Sequence, residues 1–368
     1  MDPAALNELQ HRGYLHTSEQ AARTGAAPAQ SSGAGGAAAA LPTPRERFWA
    51  ALPAARYDGA PRGLSLDGAA NWGGVPCAGR VLFVRECYES LDAAAAANNF
   101  TLVRGTPGVG KSMFALYHVW RSLQRGGVGA VVYDYAVEAT RKARVILHVG
   151  GTAQSVDPYP TVERLLHVET TLYVVDGTAP GESSCRTLVV TASKRAEWKE
   201  WAKELYVAKY FMPPFDAAEV ERCRALCFPA LDAAAVARAY DVWGGSARLV
   251  LRQLEEAAAP HTLRELAASL TFDALCSVVH DLAAAGSASG GTPQSVVHMM
   301  PADPTLRSFE LRFASRHMRD IFCSLMERAS AARVRDFIAA AETSPAMAPL
   351  RAQLLTTAEF NQPLIIGN

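Results

Sequence analysis

The chain lacks an excess of charge of either sign, because its 36 Lys and Arg residues balance 36 Asp and Glu residues to a formal net charge of zero. This balance argues against electrostatic binding of nucleic acid or of a membrane surface along the whole chain, although the net charge does not exclude a local basic patch. The N-terminus lacks a basic segment followed by an apolar core, and no apolar run approaches the length of about 18 residues that a membrane span needs. We therefore expect no signal peptide, no membrane partner, and a cytoplasmic or nuclear location.

The seven cysteines form no C-x-x-C pair. Cys223 and Cys227 are spaced i, i+4 on a helix-like run without nearby histidines, so buried reduced thiols are a better interpretation than a zinc site. Hydrophobic residues make up 49% of the chain and charged residues 20%, which is typical of a globular protein with a sizeable core.

One motif organises the rest of the chain, the string G-x-x-x-x-G-K-[ST] at residues 105–112. A short apolar run at 101–103 precedes it, and apolar residues at helical spacing follow it. Strand, glycine loop and helix N-terminus together form a phosphate cradle, because backbone N–H groups converge on one anion and the helix dipole adds partial positive charge. We predict that a nucleoside triphosphate binds here, on Gly105, Thr106, Pro107, Gly108, Val109, Gly110, Lys111, Ser112 and Met113.

Two side chains of this loop and one distant aspartate are predicted to handle the phosphates and a metal ion. Lys111 would reach the β- and γ-phosphates, and the Ser112 hydroxyl would bind Mg²⁺. Asp176 ends an apolar strand-like run, where it would hold the same Mg²⁺ opposite Ser112. A helix-capping role for Asp176 is the alternative.

Hydrolysis also needs a group that orients the attacking water. Many P-loop ATPases place a glutamate directly after the metal-binding aspartate, but here the residue is Gly177. Glu138, at the end of the second strand, is our preferred catalytic residue, and Glu182 is the alternative.

Four further polar residues are candidates for contacting a nucleotide, either in this chain or in a neighbouring subunit. Ser193, or Thr191 beside it, follows a predicted strand at the position of a sensor residue. Arg248 follows two glycines at the start of a predicted helix, from which a lid arginine could bind a phosphate through two hydrogen bonds. Arg186 is a candidate for contacting the nucleotide of a neighbouring subunit.

Strands alternate with helices between residues 99 and 215, which predicts an α/β fold with a parallel sheet flanked by helices. The ligand should then bind at the carboxyl ends of the strands. Plausible helix N-caps at Asp216, Asp232 and Thr262 indicate a helical lid, and a strand pair with further helices follows it. The expected organisation is a disordered arm (1–45), a lead-in segment (46–98), the nucleotide-binding core (99–215), the helical lid (216–286) and a C-terminal α+β region (287–368).

The ordered motifs VRGTPGVGKS, YVVDG, VVTASKRAEWKEW, WGGSARLVL and PLRAQLL resemble the P-loop NTPase module of Crinkler-type effectors and of the retrotransposon hot spot (RHS) proteins of trypanosomatids. This resemblance, over about residues 80–360, implies an additional-strand P-loop ATPase fold related to the STAND and AAA-like groups. It also implies ATP as the ligand and places Lys111, Ser112, Asp176 and Arg248 at the family's motif positions. The chain departs from the family at Lys194 and Ala247, where proline is usual, and it has no recognisable Crinkler N-terminal motif. We therefore expect an ATPase module without a direct effector activity.

The leading functional hypothesis is a nucleotide-dependent switch or assembly module that binds ATP and Mg²⁺ and hydrolyses ATP slowly. A non-hydrolysing ATP-binding adaptor is one alternative, and a P-loop kinase acting on a small molecule is another. We expect a protein partner or self-association, and the zero net charge gives no support to nucleic acid as the partner.

Overall fold

The structure is a computed structural model that describes residues 43–68, 70–74, 79–136, 142–150, 153–156, 161–191, 198–204, 206–255, 271–285 and 296–355. Several predictions fall outside these residues: most of the N-terminal arm, the catalytic role of Glu138, the sensor role of Ser193 and the helix N-cap at Thr262.

The lead-in segment begins with helix α1 (Pro44–Ala51), whose N-terminus is fixed by a capping box between Thr43 and Glu46. Phe48 and Trp49 on α1 are buried. A three-stranded antiparallel sheet follows, in the order β1 (Arg56–Asp58), β2 (Gly63–Ser65) and β3 (Val81–Phe83). Helix α2 (Glu86–Ala97) then leads into the central sheet.

The central sheet has seven strands in the order β10-β4-β9-β8-β5-β6-β7. The first five strands of this order are parallel, which confirms the predicted α/β class with a mostly parallel sheet. In chain order the strands are β4 (Phe100–Arg104), β5 (Ala130–Ala136), β6 (Lys142–His148), β7 (Ala153–Val156), β8 (Thr171–Asp176), β9 (Arg186–Thr191) and β10 (Ala208–Phe211).

The sheet is not parallel throughout, which corrects the expectation of parallel strands alone. Strand β6 runs antiparallel to β5, and β7 antiparallel to β6. The reason lies in the connections, because the segments 137–141 and 149–152 are far shorter than the dozen or so residues of a parallel crossover.

Helices cover both faces of the sheet, as the apolar strands require. Helix α3 (Lys111–Arg125) and α2 pack on one face, whereas α4 (Thr161–Leu165) lies on the other. The β5 side chains alternate accordingly: Val131 points to the first face and Val132 to the second. Helix α5 (Trp201–Glu204) lies between β9 and β10, and residues 192–197 before it lie outside the described part.

Two of the predicted lid N-caps are confirmed. Asp216 accepts a hydrogen bond from Glu219 N at the start of α6 (Ala217–Cys227), and Asp232 accepts one from Ala235 N at the start of α7 (Ala233–Trp243). The helix predicted to begin at Arg248 is instead a π-helical turn (Arg248–Arg252), followed by α8 (Gln253–Glu255) and, later in the chain, α9 (Phe272–Ala285). π-Turns recur at functional sites.

The predicted C-terminal strand pair is confirmed as an antiparallel hairpin, β11 (Val297–Pro301) with β12 (Phe309–Phe313). Three helices follow: α10 (Arg316–Glu327), α11 (Ala331–Thr343) and α12 (Ala348–Leu355). Among the helices that the structure describes, none is long and apolar enough to cross a membrane.

Candidate functional site

The register of the central sheet brings the predicted site residues together at the carboxyl ends of its parallel strands. Tyr135 near the end of β5 pairs with Asp176 at the end of β8, and Arg104 at the end of β4 pairs with Thr191 at the end of β9. Strand β9 lies between β4 and β8. The loop after β4 and the aspartate ending β8 therefore face each other across the width of one strand.

A cavity of about 350 Å³ opens at these strand ends. One part of its lining consists of the glycine loop, the start of α3 and nearby polar or charged residues: Pro107, Gly108, Gly110, Lys111, Ser112, Met113, Asp176, Gly177, Thr191, Arg248 and Arg252. The rest of the lining is mostly apolar: Val81, Leu82, Phe83, Tyr88, Phe215, Cys223, Cys227, Phe228, Ala247 and Leu251. A ligand that combines highly charged groups with a weakly polar part matches this lining.

Lys111 lies buried at the first residue of α3, where its Nζ donates to the carbonyl oxygens of Gly105 (2.8 Å) and Thr106 (2.7 Å). Burial and, to a smaller extent, the positive charge of Arg248 lower the pKa of Lys111 to about 7, and Asp176 opposes the shift. An ammonium group has three donors, so one is left for a ligand in the cavity. An anion placed there would restore the charged form of this lysine.

Ser112 and Asp176 are joined directly, since Ser112 Oγ donates to Asp176 Oδ1 at 3.0 Å. The second carboxylate oxygen accepts from the Tyr133 hydroxyl at 3.1 Å. Burial raises the pKa of Asp176, whereas these two hydrogen bonds and the charges of Lys111 and Arg248 lower it. The arrangement holds a carboxylate and a hydroxyl side by side.

This pair fits Mg²⁺. In the described residues, no group of three or more His, Cys, Asp or Glu side chains could hold a metal ion. Mg²⁺ does not require such a group, because it commonly binds one or two protein oxygens and completes its shell with waters and substrate phosphates. Ser112 Oγ and one oxygen of Asp176 would be its protein ligands.

The lid contacts the glycine loop directly. Ser246 Oγ donates to the Pro107 carbonyl (3.2 Å), and the Arg248 N–H donates to the Gly108 carbonyl (3.3 Å). Gly108 has φ of 83°, and a Cβ there would lie 2.4 Å from Ser246 Oγ, so only glycine permits this approach. Arg248 thus lines the cavity beside the loop, as predicted.

A buried arginine that sequence reasoning missed connects the loop to the base of the lid. Both Nε and Nη2 of Arg85 donate to the Glu219 carboxylate, at 3.1 and 2.6 Å. The same guanidinium donates to the carbonyls of Val109 (3.1 Å), Pro213 (2.8 Å) and Pro214 (2.9 Å). Its only sequence signal is a charged residue directly after the apolar run of β3, so Glu219 could not be identified as its partner.

Two more anchors of the loop were also missed. Thr106 Oγ1 accepts a hydrogen bond from Met299 N of β11 (3.0 Å), and the Tyr88 hydroxyl of α2 donates to the Gly110 carbonyl (2.8 Å). These contacts explain why the Thr106 side chain is buried and does not line the cavity. The glycine loop is therefore fixed from the lead-in segment, the lid and the C-terminal hairpin.

Several predicted residues are not brought to the cavity. Gly105, Thr106 and Val109 are not among the residues that line the cavity. Glu182 is exposed and does not line the cavity, so it has no access to a ligand there. Arg186 is the first residue of β9 and Thr191 is the last, so Arg186 lies at the end of the strand away from the cavity.

Comparisons with known proteins add no assignment, since no protein-family model matches the chain and no curated protein matches it either. The function is therefore inferred from the residues and from the geometry of the cavity.

The hairpin that anchors Thr106 contains a buried histidine, and this gives a pH prediction. Burial lowers the pKa of His298 to about 4, whereas the Trp243 backbone acts in the opposite direction. The unfolded chain binds a proton near pH 6.5 and the folded chain only near pH 4, so stability is fully present above pH 6.5 and is lost as the pH falls towards 4. We expect this histidine to contribute about 3 kcal/mol to that loss.

The measurement is urea unfolding at pH 7.0, 5.5 and 4.5 for the wild type, His298→Leu and the exposed control His148→Leu. The His298 variant should lose less stability than the wild type between pH 7.0 and 4.5, whereas the control should match the wild type. Parallel pH dependence in all three proteins would contradict the assignment.

Proposed function

We propose that this chain is an ATP-binding P-loop NTPase of the additional-strand type, acting as a nucleotide-dependent switch or assembly module. The observation that carries the proposal is the 3.0 Å hydrogen bond between Ser112 Oγ and Asp176 Oδ1. It joins the hydroxyl of a complete G-x-x-x-x-G-K-[ST] loop to an aspartate at the end of β8, with β9 between the two strands. The ordered motifs support placing the chain with the Crinkler and RHS modules.

In this proposal the phosphates bind beside the glycine loop and Lys111, and the nucleoside binds against the apolar part of the lining. Backbone N–H groups of the glycine loop and the N-terminus of α3 would bind the phosphate oxygens. Lys111 would donate to the β- and γ-phosphates, and Arg248 would approach from the lid. Mg²⁺, held by Ser112 and Asp176, would neutralise part of the phosphate charge.

The switch follows from the contacts between loop and lid. Ser246 and Arg248 donate to carbonyls of the loop, and the loop and the lid both line the cavity, so a ligand in the cavity would contact both elements. A ligand shifts a conformational equilibrium only through different affinities for the two states. ATP and ADP differ in the terminal phosphate, which would lie near Arg248. We propose that this difference controls the position of the lid. A partner protein or a second copy of the chain would bind the surface that the lid changes.

Hydrolysis is proposed to be slow, because the residue after Asp176 is a glycine with φ of 67°. A glutamate there would be strained in this left-handed conformation, so the usual water-orienting position is closed. Glu138 stays our preferred alternative. It lies two residues after the end of β5, the strand that pairs with β8 beside Asp176.

The test is phosphate release from purified protein with Mg²⁺ and ATP, for the wild type, Lys111→Ala and Glu138→Gln. We expect slow turnover by the wild type and none by Lys111→Ala. Glu138→Gln should bind ATP normally and cleave it at least about a hundredfold more slowly, because removal of a general base costs about 10²–10⁴-fold. Glu182→Gln is the matched control and should turn over at the wild-type rate. Wild-type protein that neither binds nor cleaves ATP would refute the proposal.

A second candidate function, a non-hydrolysing ATP-binding adaptor, is favoured by the same glycine at position 177. It predicts tight ATP binding without phosphate release, even at protein concentrations that promote self-association. The two candidates are therefore separated by turnover alone.

A further inference from the structure

A second cavity, of about 170 Å³, lies beside the first. The two cavities share Ser112, Met113 and Asp176 in their walls. The remaining wall includes aromatic side chains of the lead-in segment and of β5, among them Trp49 and Tyr133. The second cavity therefore adjoins the proposed metal ligands, and none of the apolar residues that line the first cavity beyond Met113 lines it.

A cation faces this space. Arg45, in the first turn of α1, lines the cavity, and its Cζ lies 3.9 Å from the centroid of the Tyr135 ring. Its side chain is half-buried, and within the described part of the chain no carboxylate forms an ion pair with it. A guanidinium held over a ring keeps its N–H donors in one plane and leaves them available for an anion.

The backbone around Arg45 fixes its position. The capping box of Thr43 and Glu46 encloses it, and the next turn of α1 buries Trp49 against Tyr133, with the ring centroids 5.1 Å apart. A Cβ at Gly74 would lie 2.5 Å from Arg45 Cα, so the lead-in loop packs directly on this turn. The Tyr133 hydroxyl in turn donates to Asp176. A continuous set of contacts thus connects the arginine to the proposed metal ligand.

We propose that the second cavity is a phosphoryl site in which Arg45 binds the terminal phosphate of the nucleotide, and also binds free phosphate. The nucleotide part of this inference rests on the proposed function, and the anion part rests on the geometry around Arg45. The guanidinium matches the spacing of phosphate oxygens and stays charged at all working pH values. The lead-in segment would then distinguish ATP from ADP, because only ATP carries the phosphate that reaches this cavity.

The experiment compares the affinities of Mg-ATP and Mg-ADP by titration calorimetry in the full chain and in Arg45→Ala, Arg45→Lys and Arg47→Ala. Arg45→Ala should weaken ATP binding at least about tenfold, as expected for a lost charge-assisted hydrogen bond, and leave ADP binding within about twofold. Arg45→Lys should recover part of the loss. Arg47→Ala, two residues further along the same helix, should bind both nucleotides as the wild type does. Unchanged ADP affinity also shows that each variant is folded.

A titration with inorganic phosphate distinguishes binding of free phosphate from binding of the nucleotide's terminal phosphate. Phosphate should bind the ADP-loaded chain, in which the glycine loop is already occupied, and Arg45→Ala should abolish that binding. Equal losses of ATP and ADP affinity in Arg45→Ala, or no loss of either with unchanged phosphate binding, would overturn the inference while leaving the proposed function intact. A chain that binds phosphate through Arg45 but binds no nucleotide would instead retain the anion site and refute the proposed function.

Discussion

Replacing Lys111 with alanine is expected to weaken the binding of Mg-ATP by about a hundredfold or more. Its ammonium is buried beside the glycine loop in the wall of the cavity, and it donates hydrogen bonds to the carbonyls of Gly105 and Thr106. Charge-assisted hydrogen bonds to a phosphate in a buried site are worth about 1.5–3 kcal/mol each, and a factor of a hundred needs about 2.8 kcal/mol. Titration calorimetry of the wild type and the variant measures the difference.

The same substitution should not destabilise the fold. Burial, with the charge of Arg248, lowers the pKa of Lys111 from 10.5 to about 7, so in the absence of phosphate this lysine costs the folded state free energy as the pH falls below 10.5, and the cost is complete below about 7. We therefore expect a thermal midpoint equal to or above that of the wild type. The control is Lys209→Ala, an exposed lysine on β10, which should bind Mg-ATP normally. If the Lys111 variant bound Mg-ATP within about threefold of the wild type, the glycine loop would not be the phosphate site.

Replacing Arg85 with alanine should produce the largest loss of stability, about 3–5 kcal/mol. The substitution leaves the buried carboxylate of Glu219 without its partner and removes the donors to three carbonyls, those of Val109, Pro213 and Pro214. An uncompensated buried charge is among the costliest defects in a protein interior. Urea unfolding at neutral pH measures the loss, and thermal unfolding should show a midpoint lower by about 10 °C.

Arg222 provides the matched control, because it forms a solvent-exposed ion pair with Glu86 at 3.6 Å. Exposed pairs contribute about 0–1 kcal/mol, so Arg222→Ala should unfold nearly as the wild type does. Glu219→Gln should lose less than Arg85→Ala, since an amide still accepts from the guanidinium. A loss below about 1 kcal/mol for Arg85→Ala would show that the guanidinium does not fix the loop to the lid.

The sequence predicted those parts of the site that are local in the chain. The glycine loop is contiguous, so its strand, turn and helix could be assigned from eight residues. Asp176 could be placed beside Ser112 because parallel strands bring their carboxyl ends to one edge. The N-caps at Asp216 and Asp232 depend only on residues three positions further on, and the structure confirms both.

The contacts that the sequence did not reveal join residues far apart in the chain. Arg85 and Glu219 are 134 residues apart, and Thr106 and Met299 are 193 apart. Hydrophobic periodicity indicates which face of a strand is buried but not the direction of its neighbour, and the signal that would have identified β6 as antiparallel was the short connection at 137–141. Arg45 was missed for a related reason, since nothing in its surroundings in the sequence indicates that α1 packs beside Asp176.

Equilibrium titration of the full chain with ATP shows whether ATP binds in the cavity at the carboxyl ends of the strands. We expect one ATP per chain, weaker binding without Mg²⁺, competition by ADP, and no competition by an equal concentration of adenosine, because the phosphates supply most of the affinity. No binding at ATP concentrations up to about 1 mM, the upper end of the usual range for enzyme substrates, would show that this chain is not an ATP-binding protein.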